Sequence, residues 1–169
     1  PVRKLIQDLD RLPFPCYDGS DLVIDDDQIR YDLMQNPAFF RDSFIIISAR
    51  GCPYHCSYCV HSKMRGLFPH QKYIRRRSVD NFIQELEEIT RLYSFDGSPL
   101  SFYDEIFAWD EKWVSEFASK YSKKINLPFF CYCHVNFSNR KIMEHLRDCG
   151  LVAPCIGVQS ASVHIVKDI

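Results

Sequence analysis

Short apolar runs and amphipathic stripes alternate along the chain. Residues 44–48 form a continuous apolar run rich in β-branched side chains, which is typical of a strand buried on both faces of a parallel sheet. Similar runs predict further strands at about 100–103, 129–135 and 152–159. Stripes of 3.6-residue period predict a first helix from about 79 to 93, capped by Ser78, and a second helix capped by Asp110. A third helix is capped by Ser138 and ended by Gly150, and a fourth begins at 160–162.

This βα order predicts an α/β fold. Helices of this length allow right-handed crossovers between parallel strands, and four βα units make half of a (βα)8 barrel, which needs about 250 residues. We therefore expect a partial TIM-like barrel with helices on its outer face and one open side. The carboxyl ends of barrel strands carry the active site. Polar residues follow every predicted strand, at 50–59, 104–105, 134–136 and 159–160.

Residues 1–42 lack this periodicity. Pro13 and Pro15 force an extended path through 8–15, and the acidic residues 25–27 are most simply a solvated turn. We divide the chain into a linker, 1–42, that follows a missing N-terminal domain, and a domain at 43–169. The chain begins at Pro1 and stops at Ile169 in the first turns of a predicted helix, so we expect a fragment of a longer protein.

Composition narrows the class of protein. The chain has 169 residues, of which 46% are hydrophobic, and a net charge of -1, so neither nucleic acid nor an anionic membrane is favoured as a partner. No apolar run approaches the ~20 residues of a membrane span, and the charged residues near the start oppose a secretory signal. Three of the eight cysteines lie in the loop at 50–59, and the others read as free thiols in a reducing, cytoplasmic setting.

The loop at 50–59 carries the strongest chemical signal. Cys52, Cys56 and Cys59 follow a Cys-x3-Cys-x2-Cys spacing, so three thiolates can converge on one metal centre. An odd number opposes a disulfide framework. A closed zinc site needs a fourth ligand, such as His55 or His61, whereas an iron-sulfur cube tolerates three thiolates and leaves one iron open.

This loop resembles the Cys-x3-Cys-x-aromatic-Cys motif of the radical S-adenosylmethionine (radical SAM) enzymes, with Tyr58 as the aromatic residue. The resemblance implies that the cysteines hold a 4Fe-4S cluster and that the open iron binds the amine and carboxylate of SAM. The reduced cluster then cleaves SAM to a 5'-deoxyadenosyl radical, and Tyr58 lies beside adenine. We expect Gly51 to let the backbone approach the cluster closely.

Two later segments extend the resemblance. Residues 102–107 are similar to the F-x-D-D-x-F pattern of the cobalamin-type branch, which implies that Asp104 or Glu105 lies near the SAM ammonium. We favour Glu105, because its longer side chain reaches past the strand end. Residues 157–160 resemble a G-V-E/Q-S pattern in which Gln159 and Ser160 would reach the ribose hydroxyls or the methionine carboxylate, although Ala161 stands where Gly is usual.

Residues 9–15 resemble the LD-x-LP-x-P connector that follows the cobalamin-binding domain in that branch. The resemblance implies a radical methylation, cyclisation or rearrangement, cobalamin in the full-length parent, and an electron donor such as flavodoxin or ferredoxin. The fragment alone is expected to be inactive. Two alternatives remain open: a radical SAM methylthiotransferase and a non-enzymatic zinc-binding module.

We interpret two further groups of residues, a cysteine pair and a basic run, as structural and not functional. Cys131 and Cys133 share one face of a predicted strand, where free cysteine packs as a small hydrophobic residue. The basic run at 75–77 precedes a helix, and we interpret it as a solvated or salt-bridged face.

Overall fold

A computed structural model describes residues 2–17, 23–25, 28–30, 44–95 and 97–168. The strands are β1 (Val23–Asp25), β2 (Gln28–Arg30), β3 (Ile45–Ile46), β4 (Ala49–Arg50), β5 (Arg75–Arg76), β6 (Leu100–Phe102), β7 (Phe129–Cys133) and β8 (Leu151–Ile156). The helices are α1 (Val60–Gly66), α2 (Val79–Leu92), α3 (Glu111–Lys124), α4 (Arg140–Asp148) and α5 (Val163–Asp168). Short 3-10 turns lie at Leu9–Arg11 and Val135–Phe137.

The centre of the fold is a four-stranded sheet in the order β3-β6-β7-β8, with every neighbouring pair parallel. Within this sheet, each strand lies beside the strand of the sheet that follows it along the chain, which is the arrangement of consecutive barrel strands. The predicted α/β fold and partial barrel are therefore confirmed. Two small antiparallel pairs, β1 with β2 and β4 with β5, lie outside this sheet.

The core lies between one face of the sheet and helices α2, α3 and α4. Phe102, Phe117 and Phe129 are fully buried there, and the rings of Phe102 and Phe129 are 4.9 Å apart. Cys131 and Cys133 join this core with 3.7 Å between their sulfurs, which confirms their packing role. Each buried aromatic ring contributes roughly 1.5–3 kcal/mol through removal from water.

The other face of the sheet is open to solvent, with Ile45, Tyr103, Tyr132 and Cys155 exposed. Strand β8 forms one edge, and Val152 and Ile156 are exposed on it as well. No described helix covers these positions.

Helix boundaries follow the predicted caps with one correction. Ser78 Oγ accepts from the Asn81 amide at 3.1 Å, and Asp110 accepts from the Trp113 amide at 3.1 Å. Helix α4, however, is capped by Asn139 rather than Ser138, because the Ser138 hydroxyl donates to the His134 carbonyl at 3.0 Å instead. Gly150 ends α4 as expected: its φ is +119, and a Cβ there would lie 2.8 Å from the Leu127 carbonyl.

The first predicted strand is shorter than its sequence suggests. Only Ile45–Ile46 pairs with β6, and Ala49–Arg50 turns away to pair with β5. The amide of Ser48 donates to the Asp104 carboxylate, which removes it from the parallel ladder. The cysteine loop therefore starts after β4, not at the end of a barrel strand. The strands predicted to reach 135 and 159 also end earlier, at Cys133 and Ile156.

The linker is partly structured. Residues 23–25 and 28–30 form a hairpin that the sequence pattern did not predict, and of the expected turn at 25–27 Asp26 and Asp27 lie outside the described residues. Further upstream, Asp10 accepts from the Ser78 amide at 2.9 Å, and Tyr17 donates to Glu85 at 2.6 Å. The connector is thus docked against the start and middle of α2.

Candidate active site

The cysteine loop is shaped by backbone contacts to the segment that follows it. Gly51 has a φ of +92, and a Cβ there would lie 2.7 Å from the Tyr73 carbonyl. Glycine is therefore required by the approach of Tyr73, and the expected approach to a cluster stays a prediction. Ser62 Oγ donates to the Cys56 carbonyl at 2.7 Å, and the Arg65 guanidinium donates to the Cys52 carbonyl. Both donors lie on α1, which begins directly after Cys59.

Cys52, Cys56 and Cys59 are half-buried thiols without a disulfide partner. Burial raises the pKa of the Cys52 thiol, and the neighbouring Glu105, Cys56 and Cys59 raise it further. Among the described residues, no three His, Cys, Asp or Glu side chains converge on a point where one metal ion could be held. A 4Fe-4S cube does not require such convergence, because each thiolate binds a different iron. Three free, accessible thiols on one loop fit that group.

Asp104 follows β6 and is fully buried. Its carboxylate accepts hydrogen bonds from Ser48 Oγ at 2.9 Å and from the Ser48 amide at 3.2 Å. Burial raises the pKa of Asp104 to about 6, against the opposing effects of Arg76 and of the hydrogen bonds from Ser48. Asp104 therefore holds the chain segment that leads into the cysteine loop.

Arg76 is a largely buried cation whose charge acts on this carboxylate. Its guanidinium lies 4.2 Å from the Trp113 ring centroid and 4.6 Å from that of Trp109, and it donates to the Phe107 carbonyl. Burial lowers the pKa of Arg76 to about 10, so it stays charged at neutral pH. The interpretation of 75–77 as a solvated face is wrong for Arg76, while Arg77 is salt-bridged to the buried Glu85.

Glu105 points to a different environment from that of Asp104. Its carboxylate is 3.1 Å from His61 Nε2, and His61 Nδ1 is 2.8 Å from the Tyr73 hydroxyl. The carboxylate retains 29% of its exposure, whereas Asp104 has none. His61 lies in α1, directly after the cysteine loop. This chain of contacts brings the end of β6 next to the cysteine loop.

Tyr54 joins the loop to the end of β7. Its ring stacks on the His134 imidazole with centroids 4.2 Å apart and an interplanar angle of 25°. Asn136 Nδ2 donates to the Tyr54 hydroxyl at 2.9 Å. The polar segment predicted at 134–136 therefore does meet the loop.

The remaining predicted site residues are less tightly placed. Tyr58 is 57% exposed. Gln159 is exposed with a φ of +62, and Ser160 is half-buried, with its hydroxyl accepting from the Ser162 amide at 3.0 Å. Within the described ranges, no hydrogen bond, ion pair or ring contact joins Gln159 or Ser160 to the loop.

Sequence reasoning missed Tyr54, Ser48 and Arg76 as contributors to this site, and it named His61 only as a possible zinc ligand. Tyr54 and His61 lie within or just after the cysteine motif, so their position was a usable signal. Ser48 and Arg76 carried none, because their partners are fixed only by the fold.

Comparisons with known proteins agree with this picture. Residues 46–169 match the Radical SAM superfamily. The chain is 25% identical over 168 residues to an uncharacterized methyltransferase of Pyrococcus horikoshii, and it spans 33% of that protein's length. No described helix has the length and apolar character that crossing a membrane demands.

Two solved structures share the fold at 16% identity. The first is the radical S-adenosylmethionine methyltransferase TsrM from Kitasatospora setae with cobalamin and a [4Fe-4S] cluster bound, with a TM-score of 0.58 over 76% of this chain and 25% of that one. The second is the cobalamin-dependent S-adenosylmethionine radical enzyme OxsB with aqua-cobalamin and S-adenosylmethionine bound, with a TM-score of 0.60 over 86% of this chain and 25% of that one.

Proposed function

Because the chain belongs to the radical SAM superfamily, whose domain implies a 4Fe-4S cluster and SAM, we propose that it is the N-terminal half of the radical SAM domain of a cobalamin-dependent methyltransferase or related enzyme. The fold shared with TsrM and OxsB supports the cobalamin-type branch, as does the methyltransferase relative. The docked connector is consistent with a preceding domain held against α2.

The observation that carries this proposal is the meeting of three chain segments at one site. His61 links the cysteine loop to Glu105 after β6, and Tyr54 links it to His134 after β7. These are the carboxyl ends of neighbouring parallel strands, where barrel enzymes hold their reactants.

Residue roles follow from this placement. Cys52, Cys56 and Cys59 would hold the cluster. When bound, the cluster and SAM supply a 5'-deoxyadenosyl radical, and an electron donor such as flavodoxin or ferredoxin supplies the electron. Glu105 is exposed and next to the loop, so its carboxylate would accept a hydrogen bond from the SAM ammonium.

Asp104 would act indirectly, because its carboxylate is occupied by Ser48 and shielded from solvent. Tyr58, Gln159 and Ser160 remain proposed contacts of the adenosyl and methionyl groups. In the full-length protein, cobalamin would be the methyl donor.

The test is anaerobic reconstitution followed by a SAM-binding titration. We expect about four irons and four sulfides per chain in the wild type, and loss of the cluster in Cys52→Ala, Cys56→Ala and Cys59→Ala. Full iron retention in Cys56→Ala would contradict the ligand assignment. A zinc-binding module would instead hold one zinc and no sulfide.

The same preparation tests Glu105. Glu105→Gln should keep the cluster and weaken SAM binding by roughly 1.5–3 kcal/mol, the scale of a hydrogen bond to a charged group. Glu116→Gln, an exposed change on α3, is the matched control and should bind SAM like the wild type. Unchanged affinity in Glu105→Gln would remove this carboxylate from the site.

A further inference from the structure

Tyr54 is the residue through which the cysteine loop reaches the parallel sheet at β7. The contacts of Gly51, Cys52 and Cys56 all go to α1 or to Tyr73, which lie in the same part of the chain as the loop. Among the described residues, Tyr54 is the loop member whose side chain makes ring and hydrogen-bond contacts with a strand end of the parallel sheet.

Both rings of this stack are held by one residue. The Asn136 side chain donates to the Tyr54 hydroxyl at 2.9 Å, and the Asn136 amide donates to His134 Nδ1 at 3.2 Å. A backbone amide can only donate, so Nδ1 accepts and a neutral imidazole carries its proton on Nε2. Phe137 lies 6.1 Å from Tyr54 and closes the aromatic cluster.

The β7 end is itself rigidly defined. His134 caps the 3-10 turn Val135–Phe137, and its carbonyl accepts from Ser138 Oγ at 3.0 Å. Cys133, immediately before it, is buried in the core. The position of a ring stacked on His134 is therefore fixed by the core of the protein and not by another loop.

We propose that Tyr54 and His134 form a positioning pair, which fixes the segment between Cys52 and Cys56 against the end of β7 and so sets where the first two cluster ligands stand. The pair acts through the loop and does not itself ligate iron. This inference rests on the proposed role of the three cysteines.

The experiment measures iron loss from the reconstituted protein to a chelator, followed by bleaching of the cluster absorbance. Tyr54→Ala and His134→Ala should each speed the loss by about 3- to 10-fold, the effect expected from an aromatic pair. The double variant should lose iron no faster than the faster single variant, because both residues act through one stack. His164→Ala, an exposed histidine on α5, is the control.

A second readout separates positioning from general loosening. The electron paramagnetic resonance spectrum of the reduced cluster should shift in His134→Ala and return in His134→Phe, which keeps a ring to stack. Should His134→Ala fail to fold, Tyr54→Phe and Asn136→Ala, which retain both rings but lose the hydrogen bond, should still speed iron loss.

Wild-type release rates in all the variants, or effects that multiply in the double variant, would overturn the inference alone. A wild-type protein that takes up no cluster would overturn the proposed function and this inference with it.

Discussion

Asp104 shows how a single residue can join two parts of a site while remaining out of reach of a ligand. Its carboxylate is shielded from water, bound to Ser48, and favoured in its charged form by the largely buried guanidinium of Arg76. The hydrogen bonds and the cation favour the charged form, yet burial outweighs them and the pKa is raised to about 6. An ionised Asp104 is therefore held at a cost to stability.

This cost predicts a pH dependence. The folded pKa lies above the unfolded value near 4, so the stability from a protonated Asp104 is fully present below about pH 4 and is lost as the pH rises through 6. From pH 4 to 7, the free energy of unfolding of the wild type should fall relative to Asp104→Asn by about 2 kcal/mol. Denaturant titrations at several pH values measure this. Parallel pH profiles of the two proteins would contradict it.

Helix α2 is the element on which the connector and the sheet meet. Its apolar side packs into the core. Glu85 on the same helix is buried and contacts Arg77 and Tyr17. Glu85 is therefore one of the residues that hold the connector, and the helix is both a barrel element and a docking platform.

We expect Glu85→Gln to lower the free energy of unfolding by about 3 kcal/mol, because it leaves the Arg77 charge buried without its partner. Glu87→Gln, on the same helix, removes an exposed ion pair with Lys124 and should cost at most about 1 kcal/mol. Limited proteolysis should also cut the connector faster in Glu85→Gln. Equal stability losses in the two variants would show that the connector is not held by this cluster.

At the scale of the whole molecule, the sheet has one covered face and one open face. Strand β8 forms an edge with exposed apolar side chains, and the chain spans only a third of its methyltransferase relative. An exposed, unpaired, apolar edge is a site for association with another chain.

The 169-residue chain should therefore self-associate in solution. Val152→Lys on the β8 edge should reduce the association, since a charge blocks edge pairing. Val163→Lys on α5 adds the same charge to an equally exposed valine and should have little effect. Analytical ultracentrifugation measures both. A monodisperse wild-type monomer would show that the edge is already protected.

Local signals made much of the fold predictable. The helical stripes and caps are decided by residues three or four apart, so α2 was placed within a residue and the start of α3 at its cap. The cysteine spacing is equally local. The early end of β3 was not predictable, because it depends on a side chain at Asp104, far along the sequence, that competes for the Ser48 amide.

The environment of charged residues escaped prediction for a related reason. The sequence pattern indicates a surface position for Arg76. In the fold, however, its guanidinium lies against two tryptophan rings. Likewise, the sequence separates Asp104 from Glu105 only by their alternation past the end of β6 and by the longer side chain of Glu105. The structure leaves Glu105 partly exposed and Asp104 buried, and the contact of Glu105 with SAM stays a prediction.

The pairing of β4 with β5 has a consequence for how the protein acquires iron. Arg50 stands directly opposite Arg75, so the base of the 51–74 excursion is held by two strand pairs, one of them with like charges, and beyond it Tyr54 and His61 contact the ends of β7 and β6. The contacts of Tyr54 and His61 lie outside the fully buried aromatic core. We expect the excursion to open as a local unit while the sheet and helices stay folded. An iron-free chain would then keep its sheet and helices folded. Its three thiols would lie on the locally opened segment, accessible to the iron donor.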